Sequence, residues 1–212
     1  MLREGRLQAS GLNLEAPEWV EDGAFVPVTV RLEGARAPLR LALLRNGEDD
    51  PRVARVGLLE WREPLEFSTR VRLSGSQDIE VVARDADGRV WQVSRPVRVA
   101  GSSCLAAPSG YPLAELGLTR AWLRSREAGL ELVSLLRHPM ESGRRLDAAG
   151  QPLPKRLLQR LTLIRDGETL LEVEPFEGLS ANPYWRVLLA PGSAELEMRW
   201  SDADGSLYLH RL

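Results

Sequence analysis

The chain has 212 residues, which is enough for two domains of about 100 residues each. Of these residues 43% are hydrophobic and 27% charged, a composition that excludes a largely disordered protein. Its formal net charge of −2 supplies no attraction for nucleic acid or an anionic membrane, and we expect neither as a partner. The apolar runs are far too short to cross a bilayer.

Short alternating segments dominate the first half of the chain, at residues 25–32, 69–73 and 79–83. A period of two predicts strands with one buried face and one wet face. Clusters of Gly, Pro, Asn and Asp separate the segments at short intervals, as in antiparallel sandwiches. We therefore expect residues 1–100 to form one β-sandwich domain.

A linker is predicted over residues 101–116, and it contains Cys104, the only cysteine of the chain. Residues 101–112 are rich in Gly, Ser, Ala and Pro and carry no charge. Most lone cysteines are small buried hydrophobes, but no apolar stripe surrounds Cys104, so we expect an accessible thiol. No histidine or other activating group is close in sequence, which favours a thiol acted on by partners over a catalytic thiol.

Residues 117–212 repeat the pattern of the first half, with a further alternating segment at residues 195–200. The apolar string at 41–47, which ends in Asn-Gly, recurs at 161–167 with Asp-Gly, an offset of 120. The string Asp-Ala-Asp-Gly at 85–88 recurs at 202–205, an offset of 117. Nearly equal offsets indicate a repeated domain plan, and the Asn-Gly and Asp-Gly pairs predict tight hairpin turns.

The most distinctive string in the second half is His-Pro-Met-Glu-Ser-Gly-Arg-Arg-Leu-Asp at residues 138–147. Pro139 restricts His138 to extended conformations, Gly143 permits a turn, and the charges require solvent or partners. The residues alone therefore predict a structural loop.

This string closely resembles the SoxZ family, whose pattern is approximately His-Pro-Met-Glu-Thr-Gly-Leu-Arg-Lys-Asp. The resemblance continues through Leu-Ser-Ala-Asn-Pro-Tyr at 179–184 and Trp-Ser-Asp-Ala-Asp-Gly at 200–205, and it covers residues 117–212. Residues 11–104 are similar to the SoxY family, which has segments like 21–28 and 69–73 and a terminal strand ending in Gly-Gly-Cys-Gly-Gly. We interpret the chain as resembling a SoxY-type and a SoxZ-type sulfur carrier fused end to end.

The resemblance implies an all-β fold of two immunoglobulin-like antiparallel β-sandwich domains packed against each other. It implies a non-enzymatic periplasmic carrier, without cofactor, on whose Cys104 partner enzymes process sulfur intermediates of thiosulfate oxidation. The periplasmic location presumes that a signal peptide has been removed, because the first ten residues lack its apolar stretch. A partner-binding or domain-docking role is expected for the loop residues His138, Pro139, Met140, Glu141, Gly143, Arg145 and Asp147, and for Asn182 and Pro183.

Two departures from the SoxY pattern keep an alternative open. The glycines around the thiol are replaced, and the segment that carries Cys104 is tethered at both ends, whereas the SoxY arm is a free C-terminus. Fused SoxYZ-like proteins associated with quinoprotein dehydrogenases form a variant group that the chain resembles. The alternative is an adaptor for such a periplasmic dehydrogenase with a non-essential thiol.

Copper ligands such as Cys104, His138 and His210 lack short spacing, so no metal site is predicted.

Overall fold

The computed structural model of the protein describes residues 4–100, 113–127, 129–147, 149–192 and 195–212. These residues form strands joined by turns and by two short 3₁₀ helices, Gly23–Phe25 and Leu113–Glu115, which confirms the predicted all-β fold. Within the described ranges, no helix is both long and apolar enough to span a membrane. Cys104 lies outside the described residues.

The strands are short, as the alternating segments predict. In the first half they are β1 (Arg6–Leu7), β2 (Leu12–Glu15), β3 (Trp19–Val20), β4 (Val26–Leu32), β5 (Leu39–Arg45), β6 (Arg52–Leu58), β7 (Leu65–Val71), β8 (Gln77–Arg84) and β9 (Arg89–Val99). In the second half they are β10 (Thr119–Arg126), β11 (Gly129–Leu136), β12 (Leu158–Arg165), β13 (Glu168–Pro175), β14 (Tyr184–Leu189), β15 (Leu196–Asp202) and β16 (Leu207–Arg211).

The strands form two sheets, and both sheets run through both halves. The larger sheet has the order β1-β9-β8-β5-β6-β13-β12-β15-β16, with β3 also pairing with β9. The smaller sheet has the order β10-β11-β14-β7-β4-β2. The halves meet at two antiparallel seams, β6 with β13 and β7 with β14. The two halves are thus joined strand to strand, while the predicted domain boundaries remain a prediction.

The strand order is palindromic around the seams. In the larger sheet β5 and β12 flank the seam, followed by β8 and β15; in the smaller sheet β4 and β11 flank it. At the seam Val56 pairs with Val173, and their separation of 117 positions equals the offset of the recurring Asp-Ala-Asp-Gly string. The halves are therefore related by a pseudo-two-fold axis through the seams, and equivalent turns lie at opposite ends of the sandwich.

Burial follows the predicted alternation and produces one apolar core across both halves. In β4 the residues Val26, Val28, Val30 and Leu32 are buried while their neighbours are more exposed. Fully burying side chains of this kind stabilises the fold by about 1.5–3 kcal/mol each. The rings of Phe67 and Trp185, one from each half, lie 6.3 Å apart across the second seam.

The two predicted hairpin turns have different outcomes. Asp166 and Gly167 both have positive φ, 50° and 84°, and form the tight turn between β12 and β13. Asn46 and Gly47 instead begin a longer connection, closed by a hydrogen bond from Arg45 N to Pro51 O at 2.8 Å. The extra residues place the Glu48 carboxylate against β8, where it accepts a hydrogen bond from Gln77.

Candidate functional site

Both described flanks of the predicted linker lie at one end of the sandwich. β9 ends there at Val99, and its partner strand β8 begins there, because the two strands are antiparallel. The chain resumes at Leu113–Glu115, just before β10. Thr119 of β10 pairs with Leu136, the last residue of β11, so the loop that starts at Arg137 lies at the same end. We call this the linker end, and the opposite end of the two sheets the far end.

His138 is fully buried at the linker end. Its Nε2 lies 3.0 Å from Asp202 Oδ2, and its Nδ1 accepts a hydrogen bond from Met140 N at 3.1 Å. Because Nδ1 is an acceptor, Nε2 carries the proton and donates to the carboxylate. Burial lowers the pKa of His138 below its ordinary value, although Asp202 opposes this shift. A neutral imidazole is therefore part of the internal support of the loop.

The Asp202 carboxylate anchors the loop from the other side. Asp202 begins the second Asp-Ala-Asp-Gly turn, and its Oδ2 also accepts from Arg156 Nε at 2.9 Å and from the Tyr208 hydroxyl at 3.4 Å. Residues near the two ends of the segment between β11 and β12 thus bind one buried carboxylate, which holds these two ends together.

Asn182 and Pro183, which the sequence analysis places in one group with the loop residues, lie beside the start of this loop. Asn182 N donates to His138 O at 2.8 Å, and Asn182 Oδ1 accepts from His138 N at 3.2 Å. Asn182 has φ of 50°, a conformation that Asn tolerates better than most residues. Pro183 O accepts from Leu136 N at 3.1 Å.

The remaining predicted loop residues form local supports. Glu141 accepts hydrogen bonds from Arg145 Nε at 2.7 Å and from Gly143 N at 3.1 Å, and Gly143 has a positive φ of 81°. Asp147 Oδ1 accepts from the backbone N of Ala149 and of Gln151 and so closes its own turn. Pro139 is partly buried. Partner binding by these residues remains a prediction.

Met140 connects the loop to the first half. Its carbonyl oxygen accepts a hydrogen bond from Arg72 Nη2 at 3.1 Å, and Arg72 O in turn accepts from Arg45 Nη1 at 2.8 Å. Burial is the main cause that lowers the pKa of both Arg45 and Arg72, and the nearby Arg45 charge lowers the pKa of Arg72 further. Neither arginine has a sequence signal beyond its place at or just after the end of an apolar strand.

Three carboxylates lie among these arginines. Burial alone would raise the pKa of Glu48, but hydrogen bonds from Ser74 and Gln77 and the Arg45 charge lower this pKa below its ordinary value. Glu177 accepts from Arg144 Nη2 at 2.9 Å. We define the arginine cluster as Arg45, Arg72, Arg144 and Arg145 with Glu48, Glu141 and Glu177.

Metal ligation has no support in the described part of the chain, where no three His, Cys, Asp or Glu side chains form a group that could hold an ion.

The fold and the linker end define a two-part β-sandwich protein whose only cysteine lies in the segment between the parts. The family model for sulfur oxidation protein SoxY matches residues 2–104, and that for sulphur oxidation protein SoxZ matches residues 123–210. The chain belongs to the SoxY and SoxZ families, as a fusion of the two, which confirms the predicted resemblance.

Among solved structures, the sulfur carrier protein SoxY from Chlorobium limicola f thiosulfatophilum is similar to the chain at 30% sequence identity. The match covers 44% of this chain and 78% of that one, with a TM-score of 0.39. No curated protein sequence matches the chain.

Proposed function

We propose that the protein is a non-enzymatic sulfur carrier that holds a sulfur-containing intermediate covalently on Cys104 and presents it to partner redox enzymes. The observation that carries this proposal is the extent of the SoxY match, which ends on Cys104, the only thiol of the chain. The partners belong to the sulfur-oxidation type, and the protein works with them in the periplasm.

The position of the linker flanks supports delivery at one end of the sandwich. Cys104 is four residues beyond Ala100, and an extended chain covers about 3.3–3.6 Å per residue, so covalent geometry limits the thiol to roughly 14 Å from Ala100. Because the segment is tethered again at Leu113–Glu115, a partner receives a loop at the linker end. The loop of residues 137–157 and the arginine cluster lie beside that point.

The chemistry of loading is an oxidative conjugation. The Cys104 thiolate and the outer sulfur of thiosulfate form an S–S bond, giving a cysteine thiosulfonate, Cys–S–S–SO₃⁻. Two electrons leave in this step and pass to the partner oxidase, so the carrier itself supplies only the sulfur atom and needs no cofactor. The thiolate is the reacting form.

Intact-mass measurement after incubation with thiosulfate and a partner thiosulfate-oxidising enzyme tests the proposal. The wild-type chain is expected to gain the mass of one thiosulfonate group, and the gain should disappear on reduction. A Cys104→Ser variant is the matched control and should keep its mass. If the wild-type chain stays unmodified by an oxidase that loads its native carrier, the sulfur-carrier proposal is wrong.

A second candidate function is an adaptor for a quinoprotein dehydrogenase, favoured by the replaced glycines at Gly101–Ala106 and by the double tether of the segment. The two functions separate in the source organism with a chromosomal Cys104→Ala variant. A carrier variant behaves like a deletion of the gene, whereas an adaptor variant retains full activity of the pathway it serves.

A further inference from the structure

The linker end and the far end contain equivalent buried arginines. Arg45 ends β5 and Arg165 ends β12, 120 positions later, and their exposed fractions are 4% and 7%. Each donates to the carbonyl oxygen of the residue directly after the seam strand of the smaller sheet: Arg45 to Arg72 O at 2.8 Å, and Arg165 to Ala190 O at 3.2 Å. A buried arginine that holds this carbonyl is therefore a structural feature of both halves.

The residue that supplies the carbonyl differs between the two ends. At the far end it is Ala190, and Arg165 forms an ion pair with Glu60 at 2.8 Å, so one cation meets one anion. At the linker end it is Arg72, which adds a second guanidinium next to Arg45. The pseudo-two-fold comparison thus identifies Arg72 as an additional cation that the repeated architecture does not require.

The arginine cluster contains one more cation than it has carboxylates. Arg145 pairs with Glu141, Arg144 pairs with Glu177, and Arg45 lies 3.6 Å from Glu48. Among the described residues, no carboxylate lies within ion-pair distance of the Arg72 guanidinium, whose one hydrogen bond runs to Met140 O. A partly buried charge with no carboxylate at ion-pair distance is costly. Burial is the main cause that lowers the pKa of Arg72, and the Arg45 charge lowers it further. The charges of Glu141 and Glu177 oppose this shift without reversing it.

We propose that Arg72, with Arg45 beside it, forms a binding site for a small sulfur oxyanion. The planar guanidinium presents paired donors that match two oxygens of a sulfate, sulfite, thiosulfate or sulfonate group. Arg72 directly follows β7 at the linker end, and the residue keeps part of its surface exposed to solvent. The excess positive charge alone indicates an anionic ligand. The choice of a sulfur oxyanion among anions rests on the proposed function.

Two sources can supply this chemistry: a free oxyanion, or the sulfonate terminus of a thiosulfonate on Cys104. The first arm of the test uses the full-length Cys104→Ser protein, which carries no thiol, in low-chloride buffer. Isothermal titration with sulfate, sulfite and thiosulfate measures the affinity. The same titrations are made after adding Arg72→Gln, Arg72→Lys or, as a matched surface control, Arg55→Gln, whose guanidinium is 57% exposed and pairs with Glu174.

Saturable binding is expected in the parent protein, with at least about a tenfold loss for Arg72→Gln, as for a lost charge-assisted hydrogen bond. Arg72→Lys should bind with intermediate affinity because the charge is kept, and Arg55→Gln should bind as the parent does. Equal binding by the parent and the folded Arg72→Gln protein overturns the site, since Arg72 would then be a docking residue for Met140 alone.

The second arm tests the adduct as the source. Tetrathionate converts the wild-type thiol to the thiosulfonate by forming one S–S bond and breaking another, with release of thiosulfate and a proton, and needs no partner enzyme. If the group binds at Arg72, loading raises the melting temperature of the wild-type protein but not that of Arg72→Gln. No binding of free oxyanions together with no such rise overturns the site. Neither result depends on loading by a partner oxidase, which tests the proposed function separately.

Discussion

The linker end and the far end are built from equivalent strands, yet they differ in their connections and in their charges. At the far end β4 and β5 are joined by the short segment 33–38, whereas at the linker end the equivalent strands β11 and β12 are joined by the long segment 137–157. The arginine that both ends bury meets a single carboxylate at the far end and a whole cluster at the linker end. The strands are repeated in the two halves. The long segment 137–157 and the arginine cluster, which have no equivalent at the far end, lie at the linker end, where the segment with Cys104 is attached.

The two Asp-Ala-Asp-Gly turns show the same contrast. Asp85, at the far end, accepts hydrogen bonds from Arg89 and from the backbone within and beside its own turn. Asp202, at the linker end, accepts from Ala203 N in its own turn and also from the side chains of His138, 64 positions earlier, and Arg156. Each aspartate therefore holds its own turn and also the connection between the equivalent strands. Asp85 binds that connection through the backbone N of Arg36, whereas Asp202 binds side chains near both ends of the long segment 137–157.

The largest difference between the ends is expected when the two buried arginines are removed. Arg45→Met leaves Glu48, whose side chain is 7% exposed, without its nearest cation, and should lower the free energy of unfolding by about 3 kcal/mol. Arg165→Met leaves Glu60, 41% exposed, free to hydrate, and should cost only about 1 kcal/mol. Urea denaturation at neutral pH measures both. Equal losses would mean that the two ends are energetically equivalent.

Removing the buried histidine should have the next largest effect. His138→Gln loses the charge-assisted hydrogen bond to Asp202 and is expected to cost about 2 kcal/mol at pH 7.5. His210, the other histidine, lies in the edge strand β16 and is partly exposed, so His210→Gln is the matched control and should be nearly neutral. A comparable loss in both variants would contradict a supporting role specific to the linker end.

The same histidine makes a pH dependence specific to the linker end. Burial holds the pKa of His138 below its ordinary value of 6.5 in the folded protein, so the unfolded chain binds more protons between the two values. The free energy of unfolding should therefore fall as the pH is lowered below 6.5 toward the folded-state pKa. His138→Gln should flatten this part of the profile, measured by urea denaturation at several pH values, and an unchanged profile in this variant would contradict the assignment.

At the far end the corresponding titration belongs to Asp85 and occurs at lower pH. Burial alone would raise its pKa, but hydrogen bonds from Arg89 and from backbone N–H groups lower the pKa below the ordinary 3.8. Its contribution is therefore present above 3.8 and lost as the pH falls through the folded value. Asp85→Asn should cost about 1.5 kcal/mol at pH 7 and less in strong acid. A pH-independent loss would show that the carboxylate charge is not what matters.

Much of the fold is predictable from the sequence because strand alternation and turn chemistry are local. The segments 25–32 and 195–200 correspond to strands Val26–Leu32 and Leu196–Asp202 with the expected alternating burial. The nearly equal offsets of the recurring strings also correspond to the register at the seam, where Val56 meets Val173. The sequence does not reveal that the two halves share continuous sheets, since edge pairing depends on which strands are left open.

The site is less predictable because its key contacts are long-range. His138 looks like a residue of a solvated loop until Asp202 is brought to its Nε2 by the fold. Arg72 looks like an ordinary alternating polar residue after β7. Only the fold brings it next to Arg45 and the Met140 carbonyl, where no carboxylate of the described residues lies at ion-pair distance. Cys104 was identified by its sequence context alone, and its role remains a prediction.

The smallest effect on stability is expected for a substitution at Arg72, the position at which the linker end has an arginine and the far end an alanine. Arg72→Ala makes the linker end resemble the far end, where Ala190 holds the same carbonyl position. The variant loses the hydrogen bond to Met140 O, worth about 1 kcal/mol, and the attraction of Glu141 and Glu177. It also loses the cost of burying the charge and the repulsion by Arg45, so the free energy of unfolding should change by less than about 1 kcal/mol.

Urea denaturation with and without added sulfate distinguishes the reasons for keeping Arg72. An anion that binds only the folded state stabilises it by mass action, so sulfate should raise the wild-type free energy of unfolding more than that of Arg72→Ala. Sodium chloride at matched ionic strength controls for screening. A loss near 3 kcal/mol without sulfate would instead make Arg72 a structural residue like Arg45. In that case the excess charge of the linker end would be compensated within the fold and would not reflect a ligand.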